Sequence, residues 1–397
     1  MIAASQKGCP LWGRGFRPFF LAAAIHAALS ISAWTAIWLG ALPAPTWLTP
    51  IWWHGHEMIF GFVAAAIAGF LLTAVPVWTA RPALAGLPLA ALVALWAAGR
   101  IALLGAAAVP VWLVGVIDVA FLPALAAVLA RTLWGSGQYW KYGILAVVSA
   151  LAVANAVMHA GALGLVSMSA AAQALRLGVD GVVVLMLVVG GRITPVFTAN
   201  ALRRLGSAAR VRSFRWLDRA TVGAAVLFAF AEVIARGSVW SGVMGVTAGV
   251  AAGCRLLGWQ GWSVRTDALV WSLHAGMAWV AAGLILIGAA DLGAPIPPMA
   301  GLHALGAGAM GMMVLAVMTR VGLGHTGRPL TLPRWAIASY LLVQVGALLR
   351  VGAAFFPGDV QLLLLVPASL AWAAAFGWFA ALYAPILMRP RVDGKPG

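Results

Sequence analysis

The strongest constraint on this chain is a succession of apolar runs, each roughly 20 residues long, broken by proline, glycine and charge. They fall near 16–40, 52–78, 85–104, 109–131, 142–162, 170–191, 216–236, 239–258, 267–290, 299–320, 334–354 and 361–386. At about 1.5 Å rise per residue, a helix of that length crosses the roughly 30 Å hydrocarbon core of a bilayer. Lipid offers no partner to a free backbone N–H or C=O, so such runs are helical. Composition agrees: 63% of the residues are hydrophobic and 9% charged, against about a quarter charged in soluble domains. The sequence predicts an all-α polytopic membrane protein of about 12 transmembrane helices, in one transmembrane domain over 1–397.

The chain carries 25 basic and 9 acidic residues, a net charge of +16. In a membrane protein this excess marks cytoplasmic segments rather than a nucleic-acid partner. With the N-terminus inside, Lys7, Arg14 and Arg17, the arginine-rich stretch 195–215, and Arg389, Arg391 and Lys395 fall in the cytoplasm. Only Arg100, Arg176, Arg236 and Arg350 reach the outer half. Both termini are therefore expected in the cytoplasm, and an even number of spans agrees. The stretch 195–215 is the longest connection, and no separate soluble domain is expected. The basic start followed by an apolar run resembles a signal peptide. The run continues as a full span with no clear small-residue cleavage site, so it is expected to be the first helix. The two cysteines, Cys9 and Cys254, are too few for an iron–sulfur cluster, a zinc–thiolate site or a disulfide framework.

Polar groups inside the spans are costly and therefore informative. The stretch "WWHGHEMIFGF" (52–62) puts His54, His56 and Glu57 at the outer end of span two. His303 opens span ten on the same side, and His159 closes span five there. His26 lies near the middle of span one and His274 somewhat inside the middle of span nine, while His325 is in a cytoplasmic loop. Imidazole is the commonest protein ligand of haem iron, copper and zinc, so His54, His56, His303, His274, His26 and His159 are the metal candidates. His159 reads equally well as a helix-bridging hydrogen-bonder. Residues two apart on a helix point about 200° from one another. His54 and His56 thus serve different roles unless the helix begins between them. Glu57 is placed to hold a ligand imidazole in one tautomer, or simply to favour a helix N-terminus.

Spans two and ten repeat each other. His56 is followed by Gly61, Thr79, Arg81 and Pro82, and His303 by Gly308, Thr326, Arg328 and Pro329, at identical offsets. The preceding spans carry His26 and His274, and the following ones Arg100 and Arg350. This predicts parallel four-helix units over 1–140, 141–265 and 266–397. Twelve helices with histidines on spans two and ten also resemble the haem–copper oxidase core, where those helices hold a low-spin haem; that likeness is at the level of fold. Span six departs from it, carrying Arg176 and Asp180 but no histidine. On this reading His56 and His303 are the axial ligands of a b-type haem in the outer half. Arg100 and Arg350 stand near its anionic propionates, and copper, held by His54 with His26, His159 or His274, is the weaker assignment.

Several longer motifs carry a resemblance. "GFRPFFL" (15–21), "WHGHEMIFGF" (53–62), "AGFLLTAVPVWT" (68–79), "LWAAGR" (95–100), "GGRITPVFT" (190–198), "LHALGAGAMGMM" (302–313), "MTRVGLGHTGRPL" (318–330) and "PRVDG" (390–394) are similar to those of the NnrS family over essentially the whole chain. "PVWT" departs slightly from the family's "PNWT". The resemblance implies a haem- and copper-containing protein of the bacterial inner membrane, linked to denitrification and nitric oxide resistance. It also implies that His54, His56, Glu57, His303 and His325 lie in family motifs, without dividing haem from copper ligands. The expected partners are the lipid bilayer, nitric oxide and an electron donor that the sequence does not identify. Redox turnover of nitric oxide and protection of other metal centres from it remain alternatives. A transporter of copper, haem or another small solute is the rival reading, because the central Asp118 and Asp180 suit a pathway.

Three further features invite a function. Met310 and Met313 share a helix face below His303, and thioether sulfur is a soft copper(I) ligand, though methionine more often fills core gaps. Arg176 and Asp180 stand four apart and are expected to pair. Arg100 is expected to neutralise Asp118 from the neighbouring helix.

Overall fold

The computed structural model describes residues 9–45, 47–137 and 141–395. Lys7, one of the basic residues assigned to the cytoplasmic side, lies outside them. Twelve long helices make up more than three quarters of the described chain, and there are no strands among these residues. In chain order they are α1 (Phe16–Trp38), α2 (Pro50–Thr79), α3 (Leu87–Leu104), α4 (Val111–Leu133), α5 (Tyr142–Ala162), α6 (Met168–Arg204), α7 (Arg215–Ala235), α8 (Val239–Gly258), α9 (Ala268–Asp291), α10 (Pro298–Gly324), α11 (Arg334–Phe355) and α12 (Asp359–Met388). Eleven are long and apolar enough to cross a membrane. The exception is α7, which carries Arg215, Asp218, Arg219 and Glu232. The chain is an all-α, multi-pass membrane protein.

Helix starts follow ordinary capping chemistry. Proline opens α2 and α10, where its missing N–H costs nothing and its fixed φ suits the first turn. Asp267 accepts the Leu269 N–H at 3.1 Å to start α9, and Ser238 accepts the Ser241 N–H at 3.2 Å to start α8. Helix α2 ends on Ala80, one of two non-glycine residues with positive φ among those described.

The largest departure from expectation is α6. The sequence reading ends this span at 191 and leaves 195–215 as a loop, yet the helix runs on through Pro195 to Arg204. Packing explains the continuation. The bare faces of Gly190 and Gly191 admit Met277 and Met313 on one side and Arg255 on the other. Arg255 is itself held by Asp218, 2.8 Å from its Nε. Beyond Pro195, which has no N–H to donate, Ala201 and Leu202 pack on Val264 and Val270 and Thr198 Oγ1 meets His274 Nε2 at 2.8 Å, and these contacts hold the last turns helical.

The chain divides into two compact units. The first takes the chain up to Ala171 together with Met318–Thr331 and Phe376 onward; the second takes Ala172–Val317 and Leu332–Ala375. In the first unit the C-terminal motif closes on the other end of the chain. Arg17 donates to the carbonyls of Leu387 and Arg389 at 2.8 and 2.7 Å, and Arg391 donates to that of His325 at 2.8 Å. Arg391 also grips Asp393, which pulls that carboxyl down to about 2.

Helices α2 and α10 share an internal irregularity. Each begins with a short α-helical turn that ends on the repeat's histidine, Pro50–His56 and Pro298–His303. Each then passes through seven π-helical residues, Glu57–Val63 and Ala304–Met310, before resuming as α-helix. π-Helical turns are rare and cluster at functional sites. In both, an indole takes a carbonyl of the widened turn: Trp96 Nε1 donates to Gly61 O at 3.0 Å, and Trp372 Nε1 to Ala307 O at 3.1 Å.

Candidate metal centre

The first unit gathers seven polar side chains in its interior. His26 comes from α1, His56 and Glu57 from α2, Arg100 from α3, Asp118 from α4, and Asn155 and His159 from α5. His56 is fully buried, and Glu57, Asp118, Asn155 and His159 are each no more than 3% exposed. Burial of this much charge is tolerable only if every group is paired.

The pairing is close to complete. Glu57 Oε1 accepts from Arg100 Nη1 at 2.7 Å and faces His56 Nδ1 at 3.0 Å, while its Oε2 lies 3.1 Å from His26 Nε2. Arg100 also pairs through Nη2 with Asp118 Oδ1, the neutralisation expected from the sequence. Asp118 Oδ2 is the hub of the other side. It accepts from Asn155 Nδ2 at 2.9 Å and meets His159 Nε2 at 2.8 Å and His56 Nε2 at 3.2 Å. Asn155 Oδ1 lies 2.8 Å from the same His56 nitrogen. Trp47 covers the cluster, its ring 5.1 Å from that of His56 and 4.5 Å from that of His159.

Glycines make this convergence sterically feasible. A Cβ on Gly61 would meet His26 Nε2 and, at 2.9 Å, Arg100 Nη1. On Gly99 it would stand 2.7 Å from Asp118 Oδ1, and on Gly115 3.1 Å from His159 Nδ1. Gly61→Ala is therefore expected to cost about 1–3 kcal/mol, the usual range for forcing an extra carbon into a packed interior. Thermal unfolding of the purified protein checks this, and an unchanged midpoint would contradict the packing described.

One donor from each of His56, Asp118 and His159 lies within 4.8 Å of the others, close enough for a single metal ion. Two imidazoles and a carboxylate suit a borderline transition metal such as iron, copper or zinc. One detail fits a cation there: both ring nitrogens of His56 face oxygen acceptors, so the ring is satisfied only if it is doubly protonated or if a cation takes the place of one proton. Glu57, gripped by Arg100, fixes the His56 ring from behind, as outer partners of metal-binding histidines do.

The remaining sequence candidates are distributed elsewhere. His54 stacks on Trp34 with centroids 4.7 Å apart, so it and His56 do serve different surroundings. His26 and His159 lie around His56, not His54. His274 sits in the second unit, 2.8 Å from Thr198 Oγ1. His303, also in the second unit, is partly exposed and donates Nδ1–H to the Met299 carbonyl at 2.9 Å, which leaves Nε2 as its basic nitrogen. Arg350 is partly buried near the end of α11. His325 packs against Phe16 with centroids 5.6 Å apart. Burial, with Arg14 and Arg391 nearby, pushes its imidazole down to about 4, so it is neutral at physiological pH. Met313 packs with Met277 against Gly190. Arg176 does not pair with Asp180: it reaches Glu232 on α7 at 3.3 Å, because that carboxylate is offered across the helix interface.

Asn155 escaped the sequence reading. Its signal was present, since an amide in the middle of an apolar run four residues before His159 shares that histidine's face.

No curated protein matches this chain significantly. A family model described as NnrS protein matches residues 10–391. That match spans the motifs around His56 and His303 and covers nearly all of the sequence, and on it the chain belongs to the NnrS family.

Proposed function

We propose that the protein binds a redox-active metal ion, iron or copper, at His56, Asp118 and His159, and that it acts through this centre on nitric oxide. The single observation that carries this reading is the buried convergence of those three donors. Membership in the NnrS family supplies the nitric-oxide-related role. A bound iron or copper ion supplies an open-shell centre that binds nitric oxide and exchanges electrons. The chain's own residues supply the rest. Glu57 and Arg100 orient His56, Asn155 holds Asp118, and Trp47 with the surrounding apolar helices keeps bulk water out.

A b-type haem with His303 as an axial ligand is the second reading, supported by the Nδ1–H that His303 donates to the Met299 carbonyl, the kind of outer contact that orients ligand histidines. Arg350 is then the cationic partner for the propionates. We place the protein in the bacterial inner membrane with both termini cytoplasmic, on the distribution of its basic residues.

The test is metal analysis and absorption spectroscopy of the purified protein with and without nitric oxide. Bound copper or non-haem iron whose spectrum changes on addition of the gas is expected. A protein with neither metal, or with a spectrum indifferent to nitric oxide, would exclude the proposal. Loss of the haem bands in His303→Ala with the other metal retained would establish two separate centres.

A further inference from the structure

The second unit contains a polar cluster that the metal centre does not use. It lies where α7 ends, α8 begins and α9 ends, facing α6. Glu232 Oε1 and Asp291 Oδ2 both lie 2.5 Å from the same atom, Ser241 Oγ. Glu232 Oε2 is met by Arg176 Nη2 at 3.3 Å and by Arg236 Nε at 3.8 Å. Asp180 stands one turn along α6 from Arg176, within electrostatic reach of Arg176, Glu232 and Arg236. It is 5% exposed, and its Oδ2 has no hydrogen-bond partner.

Hydrogen counting constrains the protonation of this group. A serine hydroxyl has one proton to donate, yet two carboxyl oxygens sit at hydrogen-bond distance from Ser241 Oγ. Glu232 faces both arginines and is the ionised partner, so Ser241 donates to it. The contact with Asp291 is then made by a proton on Asp291, donated to Ser241 Oγ.

We propose that Asp291, Ser241 and Glu232 form a proton-binding relay, with one proton resident on Asp291. Asp291 is partly exposed and forms the entrance; Ser241 and Glu232 are buried. In the transfer step the Ser241 Oγ–H bond breaks as a Glu232 Oε1–H bond forms. The Asp291 Oδ2–H bond breaks as Oγ–H is restored. One proton moves from Asp291 to Glu232 and no other atom or electron changes place.

Infrared spectroscopy of the whole protein at neutral pH tests this. A carboxylic acid C=O band that shifts in D2O is expected, and Asp291→Asn should remove it, since asparagine keeps a donor toward Ser241 without carrying the proton. Ser241→Ala should move the same band to higher frequency by deleting its hydrogen-bond acceptor. This second variant leaves both carboxyls in place and serves if the first does not fold. A wild-type spectrum without such a band, or a band unchanged in these variants, would overturn the proposal.

Discussion

Replacing His159 by alanine is expected to reduce copper and non-haem iron in the purified protein to background. Two of three donors cannot hold a borderline metal ion in competition with water and buffer. His56→Ala is expected to do the same, with an added fold penalty because Glu57 and Asn155 lose a buried partner. Removing an outer partner is milder: Asn155→Leu leaves all three donors in place and is expected to weaken binding about 10–100-fold. His54→Ala and His274→Ala are the discriminating controls. They touch Trp34 and Thr198 and should keep full loading. Metal content by mass spectrometry reads all five variants. Equal loss in the controls would mean that the cluster around Asp118 is not where the metal sits.

Arg100→Met should be the most damaging single change to stability, about 3–5 kcal/mol, the range for removing one partner of a buried ion pair. The guanidinium bridges Glu57 and Asp118, and it is itself 7% exposed. Methionine fills much of its volume but leaves two carboxylates facing buried imidazoles with one cation fewer. Lysine should not rescue, because a single ammonium lacks the fork that reaches both carboxylates. Glu57→Gln in the Arg100→Met background should recover part of the loss by removing one of the stranded charges. Thermal unfolding of the metal-free protein measures this, and an Arg100→Met variant as stable as the wild type would refute the bridging role.

Much of this was legible in the sequence for physical reasons that can be named. Apolar length marked the helices, since little else survives in a bilayer. It failed at α6, where Pro195 and the arginines of 200–204 look like a loop and tertiary contacts of Thr198, Ala201 and Leu202 with His274, Val264 and Val270 keep the stretch helical. The Asp118–Arg100 pair was predictable because each needs a partner and the two lie at similar depth. The Arg176–Asp180 pair failed by the same rule, because Glu232 on another helix competed successfully and local spacing cannot see it. The histidines could be ranked by depth but not grouped. Depth says nothing about which face of which helix meets which neighbour, and so His159 could not be joined to His56.

The π-helical residues after His56 and His303 have a consequence for how these two helices are read. A π turn holds more residues than an α turn, so each residue rotates the chain by a smaller angle. Seven in a row leave α2 beyond Val63 turned about its axis relative to a regular helix drawn from Pro50. A helical wheel laid through the whole of α2 or α10 therefore assigns the wrong neighbours beyond Val63 or Met310. The stretches before and after the π residues of each helix are two surfaces with independent phases, able to follow different partners as the sequence drifts.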